Sequence, residues 1–189
     1  MTENELVEGV IQKKESAFKE LVQLYQKQVV GTCFSFLGNY EDAQDIAQDV
    51  FIEVFESIDK FRRESKLSTW IYRIAVNKSL NYKRVLSRRQ WVKSIETLFS
   101  KDSVEINKIS VYQSDMPNNN IENEERKMIL QKAINKLPDN QKIAFTLNKY
   151  EELSYQQIAD VMQTSLSAVE SLIHRAKTNL QNNLVKYYK

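Results

Sequence analysis

Basic and amide side chains recur at helical spacing between residues 61 and 93. Five of them follow one another at steps of four, four, three and four, which places them on one face of a helix. This basic stripe consists of Arg73, Asn77, Asn81, Arg84 and Arg88. Guanidinium groups bind phosphates, and amides read the edges of bases. The stripe therefore indicates a surface that binds nucleic acid.

Aromatic rings and further cations flank the basic stripe. The candidate surface consists of Arg62, Arg63, Lys66, Trp70, Tyr72, Arg73, Asn77, Lys78, Asn81 and Arg84. Rings provide stacking faces for unpaired bases, so cations interleaved with rings favour single-stranded DNA over a smooth duplex. A second interpretation of Trp70 and Tyr72 is that they belong to the hydrophobic core.

Charge is strongly segregated along the chain. Residues 61–93 hold ten Lys or Arg and a single acid, for a net charge of +9. Residues 1–60 hold five basic and twelve acidic side chains, for −7, although the whole chain carries only +2. Like charges repel each other, so such segregation usually serves a partner. The two signs predict two partners, a polyanion and a basic protein surface.

An acidic stripe precedes the basic one. It consists of Asp42, Asp45, Asp49, Glu53 and Glu56, spaced by three, four, four and three, with Gln44 and Gln48 beside it. Like charges at these spacings destabilise a helix by roughly a few tenths of a kcal/mol per pair. Two interpretations stay open, a solvated face and a docking surface for an Arg-rich protein.

The carboxyl-terminal part predicts a helix-turn-helix. A short helix over 155–162, a turn over 163–165 and a longer helix match that motif, whose second helix enters the major groove. The outward positions of the second helix are Ser167, Ala168, Glu170, Ser171, His174, Arg175 and Lys177. We expect these side chains to contact duplex DNA.

Glu170 has two possible roles that depend on which serine begins the recognition helix. With Ser167 as the N-cap, Glu170 completes a capping box and is used by the backbone. With Ser165 as the N-cap, Glu170 is free to accept a hydrogen bond from a cytosine amine. We favour Ser165.

These surfaces must be positioned by helices, because the chain has only three Gly, two Pro and long 3.6-residue periodicities. We predict an all-α protein of two small domains. The first spans 1–93 and contains helices from Ser16 to Leu37, from Asn39 onward and from Ser68–Thr69 onward. A flexible linker follows over 94–121, with room for a short helix at 94–99. The second domain spans 122–189, and Asp139 is expected to cap one of its helices.

Several classes are excluded by composition. A single Cys33 and a single His174 do not make a zinc site, so no metal is expected. No nucleophile–base pair or phosphate-binding glycine loop is evident, so we expect neither an enzyme nor a cofactor. The amino terminus lacks the apolar segment of a signal peptide, and no run reaches bilayer length, which predicts a cytoplasmic protein.

Three motifs, taken together and in order, resemble those of a known family. They are DAQDIAQDVF (42–51), STWIYRIAVNKSLNYKR (68–84) and the long segment LPDNQKIAFTLNKYEELSYQQIADVMQTSLSAVESLIHRAKTNL (137–180). The chain resembles the extracytoplasmic-function group of bacterial RNA polymerase sigma factors, which keep only the second and fourth sigma regions. The resemblance covers nearly all of the chain outside the linker.

The resemblance implies a role for each surface. It implies that Asp42, Asp45, Gln48 and Asp49, with Glu53 on the same stripe, bind the clamp helices of the polymerase beta-prime subunit. It also implies contact with the beta subunit. It implies that the minus-ten element is held open, with one base flipped into a pocket, by the loop from Arg62 to Leu67 and by residues of the following helix. These are Trp70, Tyr72, Arg73, Asn77, Lys78 and Asn81. The helix-turn-helix would read the minus-thirty-five duplex, and an anti-sigma factor would mask these faces.

The recognition helix departs from the family pattern. Many members carry Gly-Thr-Val-Lys-Ser-Arg where this chain has Ser167-Ala168-Val169-Glu170-Ser171-Leu172, so two basic residues are lost, one to an acid. We expect an unusual minus-thirty-five preference and weaker phosphate attraction. The implied function is a transcription initiation factor that nucleates promoter melting. The alternative is a helix-turn-helix regulator without polymerase docking, in which the acidic stripe has no role.

Overall fold

The computed structural model describes the backbone of residues 2–99 and 121–186, and the side chains of 2–89, 126 and 128–186. All regular elements in these ranges are helical. They are α1 (Glu3–Ile11), α2 (Glu15–Leu37), α3 (Tyr40–Ser57), a 3-10 turn (Ile58–Lys60), α4 (Leu67–Phe99), α5 (Ile121–Asn135), α6 (Asp139–Lys149), α7 (Tyr155–Met162) and α8 (Leu166–Val185). The all-α expectation is confirmed.

Local signals position α2 and α3 as predicted. Gly38 ends α2 in the left-handed conformation, with φ of 71°, which costs glycine little because it has no Cβ. The Asn39 side chain then accepts hydrogen bonds from the backbone N–H groups of Glu41 and Asp42 at 2.9 and 3.2 Å. This cap fixes where α3 begins, and therefore the rotation of its acidic and apolar faces.

The first domain is a bundle of α1 to α4. Its interior includes Leu21, Val29, Val50, Val54 and Ile71, each of them at most 1% exposed. The helix α1 was not predicted, although Thr2 and Glu5 form a capping box at its start. Helix α4 runs to Phe99, past the predicted domain end at 93, and the possible short helix at 94–99 is its continuation. Most of the predicted linker, residues 100–120, lies outside the described residues.

The second domain is built from α5 to α8. Ser154 and Gln157 form a capping box at the start of α7, and Gln163 ends that helix with φ of 52°. The prediction that Asp139 caps α6 is wrong. Pro138 occupies the cap position and Asp139 is already the first helical residue. The Asp139 carboxylate makes no cap hydrogen bond and instead pairs with the Lys83 ammonium group of α4.

The two domains are in direct contact. Tyr72 and Val76 of α4 share one apolar cluster with Ile143, Leu153 and Ile158 of the second domain. Helix α7, the first helix of the helix-turn-helix, lies against α4. One face of α4 is therefore covered by the second domain, while other faces of the helix pack on α2 and α3 in the first domain. None of the described helices combines the length and apolar character that a bilayer-crossing segment needs.

Candidate nucleic-acid interface

A pocket opens beside the first turns of α4. It has a volume of about 510 Å³, within the range typical of small-ligand sites. The end of α3, the loop over residues 61–66 and α4 each contribute side chains to it. The predicted DNA-binding residues that line it are Arg62, Arg63, Trp70, Arg73 and Asn77. The sequence-predicted loop and the start of the basic stripe thus meet in one cavity.

Trp70 forms part of the pocket wall from within the core. Only 8% of its surface is exposed, and its ring lies 5.6 Å from that of Phe61. Arg73 is half-buried and Asn77 is exposed, one and two turns further along α4. A base that entered the pocket would therefore meet a guanidinium and an amide beside a fixed apolar wall. Trp70 fulfils the core interpretation and still borders the cavity.

Tyr72 is buried between the domains and offers no exposed ring face in this structure. The expectation that its ring stacks on unpaired bases stays a prediction, and it requires the two domains to separate. Its hydroxyl donates a hydrogen bond to Oε2 of Glu151 at 2.8 Å. Burial, reinforced by the Glu151 carboxylate, raises the pKa of Tyr72. Tyr72 and the pocket residues lie on different sides of α4.

An ion pair connects Lys78, which lies beside the basic stripe, with Glu53 of the acidic stripe. The Lys78 ammonium lies 2.9 Å from a Glu53 carboxylate oxygen, and Glu53 also lines the pocket. Glu53 is therefore an edge residue between the acidic stripe and the pocket. Asn81 and Arg84 are exposed further along α4 and Lys66 is exposed in the loop, but none of these three lines the pocket.

The exposed part of the acidic stripe is smaller than the spacing predicts. Asp42 is half-buried and accepts a hydrogen bond of 2.8 Å from the Tyr82 hydroxyl. That bond is the largest cause of a raised Tyr82 pKa. Asp45, Gln48 and Asp49 are exposed along α3, and Glu56 is exposed near its end. These three carboxylates, with the Gln48 amide beside them, form the accessible acidic surface.

Sequence reasoning missed one residue of that surface. Ile52 is 54% exposed and lies three residues after Asp49, on the acidic side of α3. It falls outside the apolar periodicity that builds the core face, and that mismatch was the available signal. An exposed apolar side chain among carboxylates is suited to a protein interface, because its apolar surface is removed from water when a partner binds.

The recognition helix begins as expected. Ser165 is the N-cap of α8, and its hydroxyl accepts a hydrogen bond from the Ala168 N–H at 3.2 Å. Glu170 is therefore not used in a capping box, and its side chain is exposed. Exposed with it are Ser167, Ser171, His174, Arg175 and Lys177, while Ala168 is half-buried. Val169 and Ile173 face the core, so the predicted orientation of α8 is confirmed.

No side-chain cluster suited to a metal ion occurs in the ranges with described side chains. There, no group of three or more His, Cys, Asp or Glu residues could hold such an ion. Cys33 is buried, and this burial raises the pKa of its thiol to about 11. A thiol of that kind is a poor nucleophile at neutral pH.

Family models match both domains. Residues 21–89 match Sigma-70 region 2, and residues 127–180 match Sigma-70 region 4. The chain is 35% identical over 185 residues to the ECF RNA polymerase sigma-E factor of Haemophilus influenzae, covering 97% of this chain and 96% of that protein. It is 32% identical to the RNA polymerase sigma-H factor of Pseudomonas aeruginosa, covering 96% and 93%.

Solved structures share the fold. The sigma factor RpoE of Bartonella quintana, crystallised with the anti-sigma factor NepR, superposes with a TM-score of 0.66 at 22% identity, covering 88% of this chain and 96% of that one. CnrH, in complex with the cytosolic domain of CnrY, gives 0.69 at 20% identity and covers 97% of both chains. The chain belongs to the extracytoplasmic-function group of sigma factors, and so it is a transcription initiation factor.

Proposed function

We propose that the pocket beside α4 receives an unpaired base of the minus-ten element. The observation that carries this proposal is the meeting of loop 61–66 with Trp70, Arg73 and Asn77 around one cavity of about 510 Å³. Extruding a base costs a few kcal/mol, on the order of one stacking step, and a preformed pocket offsets that cost by stacking and hydrogen bonding. Arg62 and Lys66, both exposed on the same loop, would hold the flanking phosphates.

The exposed residues Asp45, Gln48 and Asp49 are proposed to dock the chain on core RNA polymerase. The carboxylates of Asp45 and Asp49 complement an Arg-rich element such as the clamp helices of the beta-prime subunit, the Gln48 amide can form hydrogen bonds with it, and Ile52 would add buried apolar area. Asp42 lies next to this surface, and its hydrogen bond with the Tyr82 hydroxyl connects α3 to α4 there. Charge complementarity of this kind raises the rate of association and fixes the orientation of the partners.

The exposed face of α8 is proposed to read the minus-thirty-five duplex. Arg175 and Lys177 suit phosphates, whereas Glu170, Ser167 and Ser171 suit base edges. Because the structurally similar sigma factor RpoE was crystallised with the anti-sigma factor NepR, a similar inhibitory partner is proposed for this chain. The protein would act in the cytoplasm without catalytic chemistry or a cofactor of its own.

Promoter-dependent transcription tests the proposal. Core RNA polymerase with the chain should start transcripts at defined sites, which can be found by sequencing transcript starts. Core polymerase alone should not start at these sites. If the chain binds duplex DNA but never directs polymerase to a start site, the regulator alternative replaces the proposal.

A further inference from the structure

The amino-terminal helix α1 touches the pocket loop at two carboxylates. Oε1 of Glu3 accepts a hydrogen bond of 3.3 Å from the backbone N–H of Leu67, the first residue of α4. The first N–H groups of a helix have no partner inside it, and a carboxylate there also opposes the helix dipole favourably. The Glu8 carboxylate pairs with the guanidinium of Arg63 in the loop. Both contacts span more than fifty residues of sequence.

The loop needs such support because its backbone is strained. Arg63 has φ of 59°, in the left-handed region that disfavours side chains other than Asn and Asp. A residue in that region keeps its conformation only when its surroundings impose it. The ion pair with Glu8 is one restraint on Arg63, and the Glu3 contact fixes the point where the loop enters α4. The shape of the pocket loop therefore depends on α1.

Helix α1 is itself held rigidly. Leu6, Val7 and Val10 are at most 2% exposed in the core of the first domain. Gly9 packs so closely on α2 that a Cβ added to it would lie 2.6 Å from the Cβ of Ala17. The backbone of α1 thus has a fixed position, from which Glu3 and Glu8 reach the loop.

We infer that Glu3 and Glu8 are positioning residues, through which α1 holds the minus-ten loop in the shape that selects an unpaired base. The inference rests on the proposed function of the pocket. A loop that already has its bound conformation loses less conformational entropy when DNA binds. Its fixed shape also accepts a matching base better than a non-matching one. Losing the α1 contacts should lower selectivity more than it lowers general affinity for single-stranded DNA.

A competing role for Glu8 predicts a different result. If Glu8 only withholds Arg63 from DNA, removing its charge would free one cation for phosphate. Affinity would then rise equally for all sequences, and its dependence on salt would steepen by about one released counterion. An exposed ion pair of this kind is weak enough for a phosphate to replace it.

The test measures selectivity with the complete chain bound to core RNA polymerase. One probe is a fluorescent single strand selected from a random pool by the wild-type complex, and the other is the same strand with its bases shuffled. The Glu3→Gln/Glu8→Gln double variant should reduce the ratio of the two affinities by about three- to tenfold. Glu5→Gln is the matched control, because Glu5 lies on the same helix and its hydrogen bonds among the described residues are to Thr2 rather than to the loop.

Steric displacement of α1 provides a second, charge-neutral variant. Gly9→Ala should push α1 from α2 and lower the same ratio, and adding Ala17→Gly should restore it by removing the clashing carbon. All ratios are measured well below each variant's melting temperature. An unchanged ratio in both the double variant and Gly9→Ala overturns the inference, as does a uniform gain in affinity in the double variant. If the wild-type complex itself shows no preference between the probes, the proposed function has failed instead.

Discussion

Tyr72 and Glu151 link the two domains through a single carboxylate. The Tyr72 hydroxyl donates to Oε2 of Glu151 at 2.8 Å, and the Thr32 hydroxyl donates to Oε1 at 2.9 Å. Both donors belong to the first domain and the acceptor to the second. Promoter elements centred about 25 base pairs apart span roughly 85 Å at 3.4 Å per pair. For α4 and α8 to bind the two elements as proposed, the two domains have to separate.

Removing the Tyr72 hydroxyl should favour separated domains. In Tyr72→Phe the half-buried Glu151 carboxylate loses one of its two donors, at a cost of about 1–2 kcal/mol, which shifts the closed-to-open ratio roughly five- to thirtyfold. Small-angle scattering of the free chain should then give a larger radius of gyration. Tyr82→Phe is the control, because its hydrogen bond to Asp42 stays within the first domain. Equal radii for Tyr72→Phe and the wild type would contradict the role of this contact.

Charge reversal on α3 tests polymerase docking. In Asp45→Lys/Asp49→Lys, two exposed carboxylates become cations, and repulsion from a basic partner should lower affinity for core polymerase at least tenfold. Circular dichroism should stay unchanged, since neither side chain packs in the core. The control Glu15→Lys/Asp160→Lys makes the same change of net charge at other exposed positions. Equal core affinity in the two double variants would remove the docking assignment.

Elements set by local signals were predictable from the sequence. The cap at Asn39, the end of α2 at Gly38 and the cap at Ser165 each depend on a side chain and the backbone within three or four residues. The apolar periodicity of α3 likewise predicted the exposed carboxylates of Asp45, Asp49 and Glu56, although Asp42 and Glu53 of the same stripe are half-buried. The helix α1 was within reach as well, because Thr2-x-x-Glu5 is a capping-box pattern.

Features set by contacts between distant segments were not predictable. Tyr72 was assigned to DNA because a single helix does not indicate which of its sides a second domain covers. Asp139 was assigned to a cap from its position before a helical pattern. Its ion pair with Lys83 could not be foreseen, because Lys83 lies 56 residues away in the sequence. The restraint of Arg63 by Glu8 is of the same kind, since neither residue has a local reason to meet the other. The sequence predicted that Arg73 and Asn77 lie on one stripe of α4. It did not predict the cavity, because the cavity also depends on the path of the loop over residues 61–66.

The recognition helix offers a matched pair of variants. Because Ser165 is the cap, Ser165→Ala should lower stability by about 1 kcal/mol without changing base preference. Glu170→Lys should leave stability nearly unchanged and alter the duplex sequence selected from a random pool, since its exposed side chain is free to meet a base. If Glu170→Lys instead tightens binding to every duplex equally, Glu170 contributes only to phosphate repulsion.

Lys142 predicts a rise in stability with pH. It is 3% exposed, and burial, with repulsion from Lys83 adding to it, lowers its pKa to about 8 from an ordinary 10.5. The unfolded chain binds more protons than the folded one between these values, so stability increases as pH rises through that window. Urea unfolding from pH 7.5 to 9.5 should show this increase. The raised pKa of the Cys33 thiol acts in the opposite direction near pH 9 and above, and those of Tyr25 and Tyr72 do so at higher pH.

Replacing the buried ammonium should abolish that rise. Lys142→Met keeps the apolar stem and removes the charge, so it should stabilise the protein at pH 7.5 by on the order of 2 kcal/mol. Loss of the Nζ hydrogen bond to Asn135 offsets part of this gain, because Asn135 is itself exposed and can bind water. Because Cys33 is present in both proteins, the difference in stability between the wild type and Lys142→Met isolates Lys142. A difference that stays constant from pH 7.5 to 9.5 would show that Lys142 is not desolvated.

Asn77 provides the sharpest test of strand opening, because it is exposed and still lines the pocket. Asn77→Ala should leave duplex binding by α8 unchanged, since that surface lies in the other domain. Open-complex formation on a closed promoter should fall, and a template with a preformed bubble should rescue it only in part. The bubble removes the cost of opening, but the base still lacks its amide contact. Permanganate reactivity of unpaired thymines measures both effects.

Two further variants separate the pocket from the stripe. Arg73→Ala should share the defect, because Arg73 also lines the pocket, whereas Asn81→Ala should not, because Asn81 lies one turn further along α4 and outside it. Trp70→Ala is unsuitable, because emptying a core position of that size costs about 3–5 kcal/mol in stability. A defect in Asn77→Ala, Arg73→Ala and Asn81→Ala alike would assign DNA contact to the whole exposed face of α4. Normal opening in Asn77→Ala and Arg73→Ala alike would show that the cavity is not the base-binding site.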